Sequence, residues 1–235
     1  MRVSIHQPDF MPWLGLFYKI NKSDVLVILD HTVNNVTESN SWLRRVKLSF
    51  NGKPNWFSVP LRKEESSFLK IRDFKINTDN KKFYEKKIKS IKQEFLKTKY
   101  FDLIFPFVED YFLFKNGDNL LECNLTFIKH ILKLISIDTR IILSSDLNCV
   151  NSSTDLLVEI VKKVNGKKYI SGDGSDGYLK PLQFKENNIK LEFNNFSHPI
   201  YKQKINQDFI SGLSIIDSLM YIGPEEVKKL LNNND

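Results

Sequence analysis

Cysteine is nearly missing: two residues in 235, Cys123 within a helical pattern and Cys149 within a loop. With no CxxC and no Cys/His ligand spacing, neither a disulfide framework nor a zinc site is indicated. Long apolar runs are missing too. None approaches the roughly 18 residues that a spanning helix needs, and the start of the chain has no basic segment leading into an apolar core and a small-residue cleavage site. The cytoplasm is the address this pattern implies. No GxSxG elbow, no HExxH and no acidic cluster at metal-ligand spacing occurs, so neither a bound cofactor nor a metal is expected. Helix-turn-helix, zinc-finger and RNP signatures are also lacking, which excludes nucleic acid as the expected partner.

What is present describes a folded protein. Hydrophobic residues make up 41% and aromatics 12%, with 18 Phe. At this length a chain buries roughly 70 to 75% of the surface it exposes unfolded, so a substantial core is expected. The 35 Lys and Arg against 28 Asp and Glu give a net charge of +7. Such a surface attracts anionic partners without choosing among them. Lysine-rich "KKFYEKKIKSIKQ" (81–93) carries apolar residues at helical spacing and reads as an amphipathic helix with a solvated face.

Along the chain, "RVSI", a Pro-rich turn, the helix "WLGLFYKINKS" and the apolar strand "DVLVILD" read as a βαβ unit. A strand apolar on both faces belongs inside a parallel sheet. "WFSVPL" and "FLKIRDFKI" then read as strands of a small antiparallel meander. Helices follow at about 80–97 and 118–136, separated by "YFDLIFPFVEDYF". The strand "RIILSS", a helix from Ser153 to Asn165 capped by "SSTD", and the strand "KYISG" form a second candidate βαβ unit. The chain ends in the helices "ISGLSIIDSLMYIG" and "GPEEVKKLL". The expected fold is α/β: one domain over residues 1–235, a mostly parallel sheet flanked by helices, and the meander inserted after the first unit. Ligands of such sheets bind beyond the carboxyl ends of the strands. Those ends carry His6 and Gln7, Asp30, Ser144 and Ser145, and Ser171 to Gly174, which places them on one rim.

The opening "HQPDFMPWLG" fits that location. Pro8 and Pro12 each fix φ and remove a donor, stiffening the loop, while Gly15 permits a close helix–strand approach. A stiff loop holds His6 either as a general base, with an ordinary pKa near 6.5, or as a satisfied structural histidine. In "NNFSHPIYKQ", extended backbone would set His198 opposite Tyr201 and Gln203, whose donors suit a sugar or an amide as well as a cross-strand pair. "WLRRVK" (42–47) puts Arg45 and Lys47 on one side of a strand, either as an anion clamp or as a basic solvent face. "SGDGSDGY" exposes backbone N–H groups, although Asp173 and Asp176 would repel phosphate. His31 and His130 have no supporting context.

Taken in order, "HQPDFMPWLGLFYKI", "SDVLVILD", "NGKPNWFSVPL", "YISGDGSDGYL", "FSHPIYKQ" and "LSIIDSLMYIG" resemble the WbqC-like proteins of bacterial surface-polysaccharide gene clusters. The family pattern falls on His6, Gln7, Pro8, Pro12, Gly15, Phe17 and Lys19, and on Ser171, Gly172, Tyr178, His198, Pro199, Tyr201, Gln203, Ser214, Asp217 and Gly223. Where such proteins carry an Asn-Arg pair, this chain has "WLRRVK" instead. The resemblance implies a cytoplasmic enzyme of O-antigen or capsule biosynthesis. The reaction we expect is N-acylation or N-aminoacylation of a nucleotide-linked amino sugar. The donor would be a thioester on coenzyme A or on the phosphopantetheine of an acidic carrier protein. In that scheme His6, Gln7 and His198 are catalytic. Trp13, Asp30, Arg45, Lys47, Ser171, Gly172, Tyr178, Tyr201, Gln203 and Asp217 bind substrate. Two alternatives stand beside it: a nucleotidyltransferase-like enzyme in which Trp13-Leu14-Gly15 replaces an HxGH turn, and a non-catalytic nucleotide-sugar or glycan-binding protein.

Overall fold

The computed structural model describes residues 1–34, 41–62, 69–114, 117–172, 179–204 and 208–233. Five strands form one parallel sheet: β1 (Arg2–His6), β2 (Val25–Ile28), β7 (Arg140–Leu143), β8 (Lys168–Ser171) and β9 (Lys190–Phe193). Their order is β7-β2-β1-β8-β9. The chain therefore builds outward from β1 in one direction, then crosses back and builds outward in the other. Outside the sheet, β3 (Val33–Asn34) pairs with β6 (Leu69–Lys70), and β4 (Arg45–Phe50) forms a hairpin with β5 (Lys53–Ser58).

Alternation along the strands separates two cores. Val3, Ile5, Val25 and Val27 pack against α5 (Ser153–Lys163) and α6 (Pro181–Glu186). Leu26 and Ile28 belong to a larger core on the other face with α1 (Leu14–Asn21), α2 (Lys81–Phe95), α3 (Phe101–Phe112), α4 (Leu120–Leu134), α7 (Ile215–Asn232) and the hairpin. All four residues of β2 are buried, as expected for a strand covered on both faces. The helices that connect β1 to β2 and β2 to β7 thus lie on one face, those that connect β7 to β8 and β8 to β9 on the other, and α7, after β9, returns to the first face. The direction of building reverses between β1 and β8, which makes their carboxyl ends the switch point of a doubly wound sheet, the position where ligands of such sheets bind.

Four expectations change. "YFDLIFPFVEDYF" is itself the helix α3, which tolerates Pro106 because Phe101, Ile104, Phe105, Val108, Tyr111 and Phe112 are buried along it. The strands β7 and β8 are not neighbours; the α5 crossover passes β2 and β1. The meander is two separate strand pairs plus a short 3-10 turn at Ile71–Asp73. Ser152 caps α5 through its backbone only. The last helix bends at Gly223, where φ is +81° and the Tyr100 ring lies 2.4 Å from where a Cβ would stand. Only glycine accommodates both constraints.

Candidate functional site

His6 ends β1 at this switch point, and its neighbours decide its chemistry. Its Nδ1 faces the Gln7 carbonyl oxygen at 2.9 Å, an acceptor only, so Nδ1 carries the proton and Nε2 keeps the lone pair. The Asp9 carboxylate lies 3.7 Å from the same Nδ1. Beneath them the buried Lys19 ammonium, carried by α1, donates to the Ile5 carbonyl oxygen at 2.9 Å. Burial, and then the Lys19 charge, push His6 down to about 3. Burial pushes the Asp9 carboxyl up to about 7, with Lys19 opposing. The resting imidazole is therefore neutral across the physiological range, and the group that titrates near neutrality is Asp9. Asp9 was not singled out from sequence; the signal was an acid three residues after a histidine in a Pro-bounded turn.

Gln7 extends the site. Its Oε1 accepts from Asn34 Nδ2 at 3.2 Å, which leaves its amide N–H groups as the donating end. The register Ser4↔Ile170, carried two residues further, sets Gly172 level with His6. Ser171 is fully buried, and its carbonyl oxygen accepts from the Asn194 N–H at 2.9 Å. Tyr178 lies outside the described residues, as do Asp173 and Asp176.

Trp13, His198, Tyr201, Gln203 and Asp217 form a second group. The indole of Trp13 covers Gly15, where a Cβ would come 2.4 Å from the ring. Gly15 thus makes room for Trp13 rather than for a strand. His198 stacks on Trp13 at 6.3 Å between ring centres and also touches Phe196, Tyr201 and Phe209. Its ring therefore approaches Tyr201 instead of lying opposite it. The His198 Nδ1 meets the Pro199 carbonyl, its Nε2 is buried without a partner among the described residues, and burial lowers its pKa.

Tyr201 donates to Asp217 Oδ1 at 2.7 Å. The Gln203 amide nitrogen donates to the Tyr201 oxygen, to Asp217 Oδ1 and to the Ile210 carbonyl, while its oxygen accepts from the Ile210 N–H. These polar atoms are taken up by one another, so Tyr201 and Gln203 brace the wall instead of presenting free donors. Asp217, fully buried in the first turn of α7, is pushed by that burial up to about 6; its Oδ2 has no partner among the described residues.

Asp30 stands on the expected rim beyond β2, beside Ser144 and Ser145. Its Oδ1 accepts from Ser144 Oγ at 2.9 Å and from the Ser145 N–H at 2.8 Å. Ser144 Oγ in turn accepts from the Asp30 N–H at 3.2 Å and meets His31 Nδ1 at 2.5 Å. With the serine hydroxyl donating to Asp30 and both residues buried, this is a clamp joining the ends of β2 and β7, not an activated serine.

Arg45 and Lys47 share the outward face of the hairpin, as their spacing implies. The Arg45 guanidinium carbon lies 3.9 Å from the Trp56 ring centre and the Lys47 ammonium 5.3 Å. Main-chain bonds link this region to the site loop: the Trp42 carbonyl, in the turn before β4, accepts from Phe10 N–H, the Lys47 carbonyl accepts from Ser214 N–H at the start of α7, and α7 is joined to the loop by Ile215 N–H to the Pro12 carbonyl. Among the described residues, no cluster of His, Cys, Asp or Glu suits a metal ion, and no helix is long and apolar enough to cross a membrane.

Against known proteins, the sequence profile of the WbqC-like protein family matches residues 7–229. The chain is also similar to "Uncharacterized protein Rv1507c" of Mycobacterium tuberculosis, 23% identical over 225 residues that span 95% of each chain. No solved structure matches the fold.

Proposed function

The chain belongs to the WbqC-like protein family, and from that membership and the side-chain pair at the end of β1 we propose an enzyme of surface-polysaccharide biosynthesis that N-acylates an amino sugar. The substrate is a nucleotide-linked amino sugar, and the donor an acyl or aminoacyl thioester on coenzyme A or a carrier protein. One observation carries this reading: a neutral imidazole with a carboxyl 3.7 Å from its protonated nitrogen, at the switch point of a doubly wound sheet.

In the reaction the sugar nitrogen attacks the thioester carbonyl, the N–C bond forms, the C–S bond breaks and the thiolate leaves. The nitrogen's proton passes to His6 Nε2. The imidazolium so formed shares its charge with the Gln7 carbonyl and with Asp9, while burial and Lys19 keep the imidazole unprotonated until then. The Gln7 amide and the backbone at Gly172 are the donors for the oxyanion. Trp13 and His198 form the wall toward the sugar, with Tyr201, Gln203 and Asp217 holding that wall in place.

The sheet order also suits the nucleotidyltransferase alternative, because doubly wound sheets commonly take nucleotides at this position. Incubating the protein with nucleotide-linked amino sugars, first with acyl-coenzyme A donors and then with loaded carrier protein, decides between them by mass. A mass gain on the sugar that is lost in His6→Gln is the expected result. Consumption of ATP or CTP without acyl transfer favours the nucleotidyltransferase. Saturable nucleotide-sugar binding without turnover reduces the protein to a binding module.

A further inference from the structure

Two exposed indoles, Trp56 on the outward face of the β4–β5 hairpin at 45% exposure and Trp42 in the turn before β4 at 40%, meet edge to face at 5.4 Å. Leaving this much of two tryptophans in water exposes roughly 100 Å² of each, apolar surface that a free-standing hairpin has no reason to present. The face is also cationic: Arg45 stacks on Trp56, and Lys47, the cross-strand partner of Trp56, has no carboxylate within ion-pair distance among the described residues. The opposite face is buried through Val46, Leu48 and Phe57, so the indoles are not turned outward by a register slip. Both Trp42 and Lys47 are bonded through their carbonyls to the segments that frame His6 and Trp13.

Aromatic faces beside cations are what a planar base attached to phosphates requires. We infer that this corner binds the nucleoside diphosphate portion of the substrate, the base against Trp42 and Trp56 and the phosphates against Lys47 and Arg45. This rests on the reading that the sugar arrives nucleotide-linked. It adds a specificity platform built from Trp42 and Trp56.

Calorimetric titration of the full chain with UDP, CDP, GDP and ADP tests it, beside the matching nucleosides and inorganic pyrophosphate as fragments. The expected result is that one diphosphate binds and each of its fragments binds at least tenfold more weakly. Trp56→Leu should lower the affinity at least fivefold, the low end for loss of one aromatic–base stack. Lys47→Gln should weaken binding and flatten its salt dependence. Both side chains point outward, so unchanged circular dichroism and melting temperature establish that these variants fold. Pyrophosphate binding as tightly as the diphosphate, or full affinity in Trp56→Leu, overturns the platform. Failure of every diphosphate beside tight capture of an acidic carrier protein that depends on Trp56 and Lys47 also overturns it and reassigns the face to a protein partner. His6→Gln separates this inference from the reaction: it should abolish acyl transfer and leave diphosphate affinity unchanged, so binding survives even if no acyl transfer is found.

Discussion

The pair at the end of β1 makes a sharp prediction about stability and pH. Asp9 titrates near 7 in the folded protein against an ordinary 3.8, so between those values the folded state holds a proton that the unfolded chain has released. Stability is therefore lost as pH rises through that window, and at about 1.36 kcal/mol per tenfold the loss between pH 5 and pH 8 comes to about 2.5 kcal/mol. His6 acts oppositely. Its folded value near 3 lies below the ordinary 6.5, so its contribution is lost as pH falls below 6.5. In the wild type the two contributions oppose each other across this range. The His6 side chain keeps 31% of its surface accessible against 9% for Asp9, so solvent screens the histidine more and the magnitude rests on the carboxyl. Replacing Asp9 with Asn removes one side of the balance. In urea unfolding the variant should gain about 2.5 kcal/mol on wild type between pH 5 and pH 8. Parallel pH profiles for the two proteins would refute both the burial of Asp9 and its place in the site.

Three further outcomes follow from particular contacts. Tyr201→Phe removes the donor from Asp217 Oδ1 and should cost about 1–3 kcal/mol in chemical unfolding. The cost should be larger at pH 8 than at pH 5, because the carboxyl titrates near 6 and its ionised form needs the donor more. Gly15→Ala forces a methyl to 2.4 Å from the Trp13 ring; a loss of about 1–3 kcal/mol and a shifted near-ultraviolet aromatic signal are expected, and an unperturbed signal would disprove the packing. Asp30→Ala unties Ser144 and Ser145 from the end of β2, which should lower the urea midpoint by the equivalent of about 2–4 kcal/mol; an unchanged midpoint would remove the clamp.

Local periodicity made the parallel strands legible. "RVSI", "DVLVILD", "RIILSS" and "KYISG" each carry their apolar pattern within a few residues, and a strand's fate is set largely by which faces it must bury. The pattern of α3 was in the sequence too, but Pro106 and five aromatics obscured a helix held by tertiary burial rather than propensity. The pairing of His6 with the turn that holds it, and the shared side of Arg45 and Lys47, were also legible, because both depend on neighbours in the chain.

What the sequence determined by itself is the α/β class, the loop after β1 and the residue types on the rim. The tertiary structure alone decided their chemistry. Lys19 reaches the Ile5 carbonyl fourteen residues away, Ser144 meets Asp30 across 114, and Tyr201 and Gln203 converge on Asp217 from another segment. A pKa depends on burial and on charges a few ångströms off in space, neither of which has a period along the chain. So Asp9 became the group that titrates near neutrality and His6 the one that does not, while Asp30 became a clamp.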